Sequence, residues 1–317
     1  MTRVVVTGAT GFVGRVVCRA LSARDVHVIG GMRSPGSVEG ALGFAELTPE
    51  SSLESLCAGI AGADVVIHLA AAVHDMRGRT TTGDFLSVNR DYPLLLARAA
   101  VASKVRRFVF VSTIKVNGDG TKPGSAYSEA SQVDPRGAYA ESKWQAEQGL
   151  RELASSSELE ILIVRPPLVY GPGVRANFRS LMRWVQRGVP LPFATLHNAR
   201  SLVYVENLAD LLVELALAPA PRAGASTYLV SDGEDLSTPE LVRAIARALG
   251  VPPRLFPVPE VLLRQAASVL GRAEVAERLL GSLRVDSSLV RRDFGWTPPF
   301  SVAEGLQRTA RWFERGA

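Results

Sequence analysis

Short β-branched apolar runs alternate with amphipathic stretches through the first half of the chain. "RVVVT" (3–7), "HVIGG" (27–31), "DVVIHLA" (64–70), "RRFVFVS" (106–112) and "EILIVRP" (160–166) read as strands, with helical patterns between most of them. Apolar strands separated by helices predict a parallel sheet covered on both faces. Beyond Pro166 the strands shorten and the helices lengthen, with "PPLVYGPG" and "PAPRAG" as turn-rich punctuation. "SLVYVENLADLLVELAL" and the Ser-Thr-Pro-Glu sequence at 237–240 carry helix-start signals. The pattern predicts an α/β fold: a doubly wound parallel sheet over 1–166 and a smaller α/β substrate region over 167–317. Some segments of the second region can return to the first sheet. There is no internal repeat or low-complexity tract.

Composition narrows the function classes. At 317 residues, 47% hydrophobic and 21% charged, the chain can bury a large core. "RVVVTG" follows Met1 without the profile of a signal peptide, and no uncharged apolar run reaches membrane-spanning length, so a cytoplasmic protein is expected. Cys18 and Cys57 fall inside predicted helices and form neither a metal spacing nor a disulfide framework. The net charge of +5 comes from arginines spread over many helices, which argues against a nucleic-acid footprint and suits acidic small molecules.

"VTGATGFVG" places Gly8, Gly11 and Gly14 between the first strand and a helix. Glycines so placed permit a tight turn and close approach of a pyrophosphate to backbone at the helix N-terminus. After the second strand, "VIGGMRSPGS" offers Arg33 and no acid before Glu39. An acid there would bind the ribose hydroxyls of NAD, whereas an arginine can pair with the extra phosphate of NADP, so NADP(H) is favoured and NAD(H) is the alternative. Glu46, after the next short strand, either reaches the adenine or is solvated.

"YAESK" sets Tyr139 and Lys143 four apart, on one helix face. An ammonium beside a phenol favours the phenolate and equips the tyrosine to exchange a proton with a sugar hydroxyl or carbonyl. "FVSTIK" ends an apolar strand on Ser112 and Thr113 and then Lys115, where ligands of open parallel sheets bind.

Taken together, "TGATGFVG", "HLAA" (68–71), "VNRD" around Asn89, "ST" (112–113) and the Tyr139/Lys143 pair resemble the extended short-chain dehydrogenase/reductase family. "RPPLVYGPG" and "RSLVYVENLADLL" extend the likeness to its nucleotide-sugar epimerase, dehydratase and reductase branch, across essentially the whole chain. The resemblance implies a Rossmann-type fold in which Thr113 binds the reacting oxygen, Tyr139 transfers the proton and Lys143 holds the nicotinamide ribose. It implies a cofactor site of Gly8, Thr10, Gly11, Phe12, Val13, Gly14, Arg33, Glu46, Leu47, Leu69, Ala70, Ala71, Asn89, Lys143 and Pro166, with Asn89 holding the structure or a water near the lysine.

The family's 4,6-dehydratases carry Asp and Glu after the catalytic threonine, whereas this chain has Ile114 and Lys115, so dehydration is not expected. Lys115 either contacts substrate or runs to solvent along its apolar stem. Ser112, Asn177 and Arg200 match positions near the sugar or the diphosphate, and arginine's bidentate geometry suits the latter. Arg175 is a weaker candidate. His74, Asp75 and His197 read as solvated, and Arg278 and Leu283 have no assigned role. No metal is expected. The likeness places reduction of a UDP-linked 4-keto-6-deoxy-hexosamine by NADPH first, in surface-polysaccharide sugar synthesis. UDP-hexose or UDP-N-acetylhexosamine 4-epimerisation with bound NAD is second, and a non-catalytic NADP-sensing regulator is the reading of another class. Helices near 84–102 and 137–153 would pair in a homodimer.

Overall fold

The computed structural model describes residues 1–34, 36–73, 81–219, 224–269, 271, 277 and 279–316. The strands are β1 (Arg3–Thr7), β2 (His27–Met32), β3 (Gly43–Glu46), β4 (Val65–His68), β5 (Arg107–Val111), β6 (Glu160–Arg165), β7 (Leu168–Tyr170), β8 (Arg200–Tyr204), β9 (Gly224–Leu229) and β10 (Asp235–Leu236). The helices begin with α1 (Phe12–Ser22), α2 (Leu53–Gly59), α3 (Thr82–Leu86), α4 (Tyr92–Ala102) and α5 (Gly137–Ser155). They continue with α6 (Ala176–Gln186), α7 (Val205–Leu217), α8 (Thr238–Ala248) and α9 (Glu260–Val269), followed by helices over Ser288–Phe294 and Val302–Glu314.

The main sheet is parallel with strand order β3-β2-β1-β4-β5-β6-β9. It is the doubly wound, Rossmann-type arrangement the sequence predicts. Alternation along each strand divides the core between the two faces. Val4 and Val6 pack with Val17 and Leu21 of α1 and with Leu208, Leu211 and Leu215 of α7. Val5 between them packs with Leu56 of α2, Leu96 of α4 and Leu150 of α5. Burial on both faces explains why these strands read as unbroken apolar runs.

The region after Pro166 has its own three-stranded sheet, β10-β8-β7, and a core of Tyr170, Phe178, Leu181, Leu202, Val242 and Leu306. The main sheet also draws on this region, since β9 pairs with β6 and α7 covers β4 and β5. The Ser-Thr-Pro-Glu signal is an N-terminal capping box, in which the Ser237 hydroxyl accepts from the Glu240 N–H and the Glu240 carboxylate accepts from the Ser237 N–H. Cys18 and Cys57 lie in α1 and α2 and are free.

At the N-terminal edge of the sheet, Arg107 is 1% exposed and pairs with Glu160. Its Nη1 donates to the carbonyls of Leu215, Ala216 and Ala218 at 2.8, 3.1 and 2.7 Å, closing the carboxyl end of α7. Arg107→Ala removes the guanidinium paired with Glu160 and leaves these carbonyls without that donor. A loss of about 3–5 kcal/mol is expected, the scale for breaking a buried ion pair. Urea unfolding of the variant against the native protein measures it.

Candidate active site

The strand order reverses between β1 and β4, and the carboxyl ends of these strands flank the crevice where such sheets bind ligands. There the chain turns at Gly8, whose φ of +68° suits glycine, and the Gly11 N–H donates to the Gly8 carbonyl at 2.8 Å. A Cβ at Gly8 would lie 2.8 Å from the Ala70 nitrogen, and one at Gly14 would lie 2.2 Å from the Gly8 oxygen. The three glycines therefore set how closely the turn, α1 and the segment after β4 approach one another. α1 starts with no side-chain cap and no acid in its first turn, which leaves its N-terminal N–H groups available to an anion. This cradle fits the pyrophosphate of a dinucleotide.

Around it, Thr10 is exposed, Phe12 and Val13 are half-buried, and Leu69, Ala70 and Ala71 line the start of the segment after β4. Arg33 stands exposed beyond the end of β2, Glu46 is exposed at the end of β3, and Leu47 is buried behind it. Pro166 is buried, and its carbonyl accepts from the Ile114 N–H at 3.0 Å.

The catalytic candidates meet where β5 ends. Thr113 caps a short 3₁₀ turn over Ile114–Val116, its hydroxyl accepting from the Lys115 N–H at 3.3 Å. A side-chain hydrogen bond joins Thr113 to Tyr139, and the Tyr139 ring meets Phe85 edge-on at 6.1 Å. Burial pushes the Tyr139 phenol up to about 12, against the hydrogen bond with Thr113. Lys143 is 1% exposed. Its Nζ donates to the Val111 carbonyl at 2.9 Å and lies 4.6 Å from the centre of the Phe110 ring. Burial lowers Lys143 to about 7, and the Glu147 carboxylate opposes that shift.

Several side chains that the sequence reading did not single out support this pair. His68 is fully buried at the end of β4, stacked near Phe108 and Phe110, with Nδ1 2.9 Å from the Thr7 hydroxyl. Burial and the charge of Lys143 push it well below its ordinary value, so the ring stays neutral. Glu147 and Arg165 form a buried ion pair one helical turn beyond Lys143. Only the spacing of Glu147 from Lys143 hinted at a shared face, and nothing in the sequence pointed to Arg165 as its partner.

Asn89 sits in a π-helical turn over Ser87–Asp91 that joins α3 to α4. Its Oδ1 accepts from the Ala72 N–H at 2.8 Å, and its Nδ2 donates to the Ala72 carbonyl at 3.0 Å and to Ser142 at 3.2 Å. These bonds tie the segment after β4 to α5.

The expected substrate residues are dispersed. The Ser112 hydroxyl is 4% exposed and donates to Glu147, which directs it into the core. Lys115 pairs with Asp119 at 3.2 Å. Asn177 is exposed in the first turn of α6, next to its exposed N-cap residue Arg175. Arg200, half-buried, donates to the Gly281 carbonyl at 2.8 Å. Leu283 is core, packed with Ile114, Leu229 and Val285, and His197 is exposed. His74, Asp75 and Arg278 lie outside the described residues. Among the described residues there is no group of acidic, His or Cys side chains suited to a metal, and no helix long and apolar enough to cross a membrane.

A glycine cradle at the strand-order switch, with a Thr-Tyr-Lys set at the end of β5, defines an extended short-chain dehydrogenase/reductase, an NAD(P)-dependent oxidoreductase-type enzyme. Residues 4–230 match the model of the NAD dependent epimerase/dehydratase family, and the chain belongs to that family. UDP-glucose 4-epimerase of Vibrio cholerae is 38% identical over 314 residues, spanning 98% of this chain and 95% of that protein. 2-Alkyl-3-oxoalkanoate reductase of Stenotrophomonas maltophilia (strain K279a) is 27% identical over 331 residues, spanning 96% and 98%. The solved structure of MoeE5 in complex with UDP-glucose and NAD aligns with a TM-score of 0.77 at 25% identity, over 99% of each chain. The function is thus of the nucleotide-sugar epimerase/dehydratase kind.

Proposed function

We propose that this protein inverts the configuration at C4 of a UDP-linked hexose or N-acetylhexosamine. The observation that carries the reading is its whole-chain similarity to the Vibrio cholerae UDP-glucose 4-epimerase, joined to the Thr113–Tyr139–Lys143 arrangement. The order expected from sequence, reduction first and epimerisation second, is thereby reversed. That expectation rested on Arg33, which is an exposed residue beyond β2. Dehydration gains no support, because Ile114 is buried and apolar and Lys115 is tied to Asp119.

In this reading Gly8, Gly11, Gly14 and the start of α1 hold the dinucleotide's pyrophosphate, and Lys143 holds its nicotinamide ribose. The nicotinamide, when bound, supplies the reversible oxidation of the sugar carbon. Thr113 fixes the reacting oxygen against Tyr139, which takes the hydroxyl proton and later returns it. The Thr113 hydrogen bond opposes the burial that keeps the phenol protonated. Asn177 and Arg200 bind the nucleotide end, and two copies pair through α3, α4 and α5.

Net reduction is the second reading, favoured by Arg33 standing where an acid would select NAD. Two incubations separate the two readings. Epimerisation predicts UDP-galactose from UDP-glucose, or the corresponding N-acetylated pair, without stoichiometric consumption of NAD(P)H. NADPH consumed one-for-one with a UDP-4-keto sugar, and no epimer in the first tube, would establish reduction.

Arg33 itself gives a prediction. Arg33→Asp should weaken NADPH binding about tenfold or more, the scale of a lost charge-assisted hydrogen bond, and narrow any preference over NADH. Fluorescence titration of the two reduced cofactors reads this directly. Equal affinity of the native protein for both would remove Arg33 as a selector.

A further inference from the structure

A buried polar cluster beside the catalytic helix is centred on Glu147, and the proposed reaction makes no direct use of it. Glu147 lies one turn after Lys143 on α5 and has no solvent exposure. Its Oε1 accepts from Arg165 Nε at 2.9 Å, its Oε2 accepts from Arg165 Nη2, and the Ser112 hydroxyl donates to Oε1. Arg165 Nη1 donates in turn to Asn117 Oδ1 at 2.9 Å, and Arg151 approaches the same carboxylate at 3.8 Å. One carboxylate thus connects α5 to the end of β5, the end of β6 and the turn after Thr113. Ser112 is the residue before Thr113, and Val111, which receives the Lys143 ammonium, is the residue before Ser112.

We propose that Glu147 is a positioning residue for the Tyr139–Lys143 pair, fixing α5 against Thr113 through Ser112 and Arg165 and supplying the anion that Lys143 needs to remain charged. The inference rests on the proposed Tyr139 chemistry and deepens it. A charged amine deprived of water needs a nearby opposite charge or it loses its proton. The groups facing Lys143 are few. β5 offers the Val111 carbonyl and the Phe110 ring, and β4 offers the neutral His68. α5 itself offers Tyr139 one turn before and Glu147 one turn after. Glu147 is the acid that acts on Lys143 in this set, and it opposes the effect of burial. A simple strut between α5 and the sheet could be apolar. A buried carboxylate is costly, and a charge it can exert on Lys143 gives it a use beyond packing.

Glu147→Gln keeps the shape and removes the charge. Removing an anion disfavours the protonated form of the coupled pair, whichever member carries the proton, so the pair titrates at lower pH. The limb of the pH–turnover profile belonging to Tyr139–Lys143 should move down by roughly one pH unit. Ser112→Ala, which keeps both charges, should lower turnover and leave the limb in place. If Glu147→Gln does not fold, Glu147→Gln/Arg165→Gln removes both charges together and should show a smaller shift of the same sign. A folded Glu147→Gln variant that loses thermal stability or turnover while its limb stays at the native pH overturns the proposal, because a structural role alone would do that. The same variants are titrated with NADH across pH by fluorescence. If the native protein turns over neither UDP-sugars nor keto sugars, the functional reading fails. The Glu147 proposal then stands or falls on whether the pH dependence of cofactor binding moves.

Discussion

Tyr139→Phe should lower turnover by roughly 100-fold or more at saturating UDP-sugar, the scale of a lost general acid–base group, while binding survives. The substitution deletes one oxygen and keeps the ring, so the edge-on contact with Phe85 is retained and the fold is little disturbed. What disappears is the hydroxyl that Thr113 hydrogen-bonds. Phenylalanine can neither take a proton from the sugar nor return one, whether the net reaction is epimerisation or reduction. The check is a substrate-saturated assay at several pH values beside a calorimetric titration of UDP-glucose. Native turnover in the variant would remove Tyr139 from the chemistry and leave the Thr113–Tyr139 contact as packing.

The second large effect is expected at Gly14. A Cβ there would sit 2.2 Å from the Gly8 carbonyl oxygen and 2.8 Å from the Ala9 Cα, both backbone atoms that no side-chain rotation can clear. Gly14→Ala therefore forces α1 away from the turn that forms the cradle. Overpacking of this kind costs about 1–3 kcal/mol, and a factor of ten in affinity corresponds to about 1.4 kcal/mol. NAD(H) affinity should fall about tenfold or more, with a lower melting temperature. Gly36→Ala is the matched control, since its added Cβ would meet nothing closer than 3.9 Å and its backbone is not left-handed. Equal cofactor affinity in the two variants would mean that the cradle does not bind the pyrophosphate.

The chain's local order carried much of this architecture. Apolar runs buried on both faces, the glycine spacing after β1, and Tyr139 with Lys143 on one helix face are properties of short segments, and each element formed where its pattern lay. The Ser237 capping box was legible for the same reason, because a cap is made by residues three apart.

The partners of buried charge were not legible, because they come from distant segments. Ser112 reads as a ligand at a strand end, yet its hydroxyl turns to Glu147, 35 residues away. Arg165 reads as the last residue of a strand before two prolines, yet it fixes Glu147 and Asn117. Arg107 reads as one basic residue of a pair and instead closes the end of α7, more than a hundred residues later. The π-helical turn that aims Asn89 at Ala72 and Ser142 also escapes a 3.6-residue pattern, since one widened turn leaves the surrounding periodicity intact. By itself the sequence determined the strands, the glycine turn after β1 and the spacing of Tyr139 and Lys143 on one helix, since each depends on neighbours in the chain. Only the tertiary structure decided which polar groups face the crevice and which face one another, because a buried charge must be satisfied by whatever the fold brings within hydrogen-bond reach.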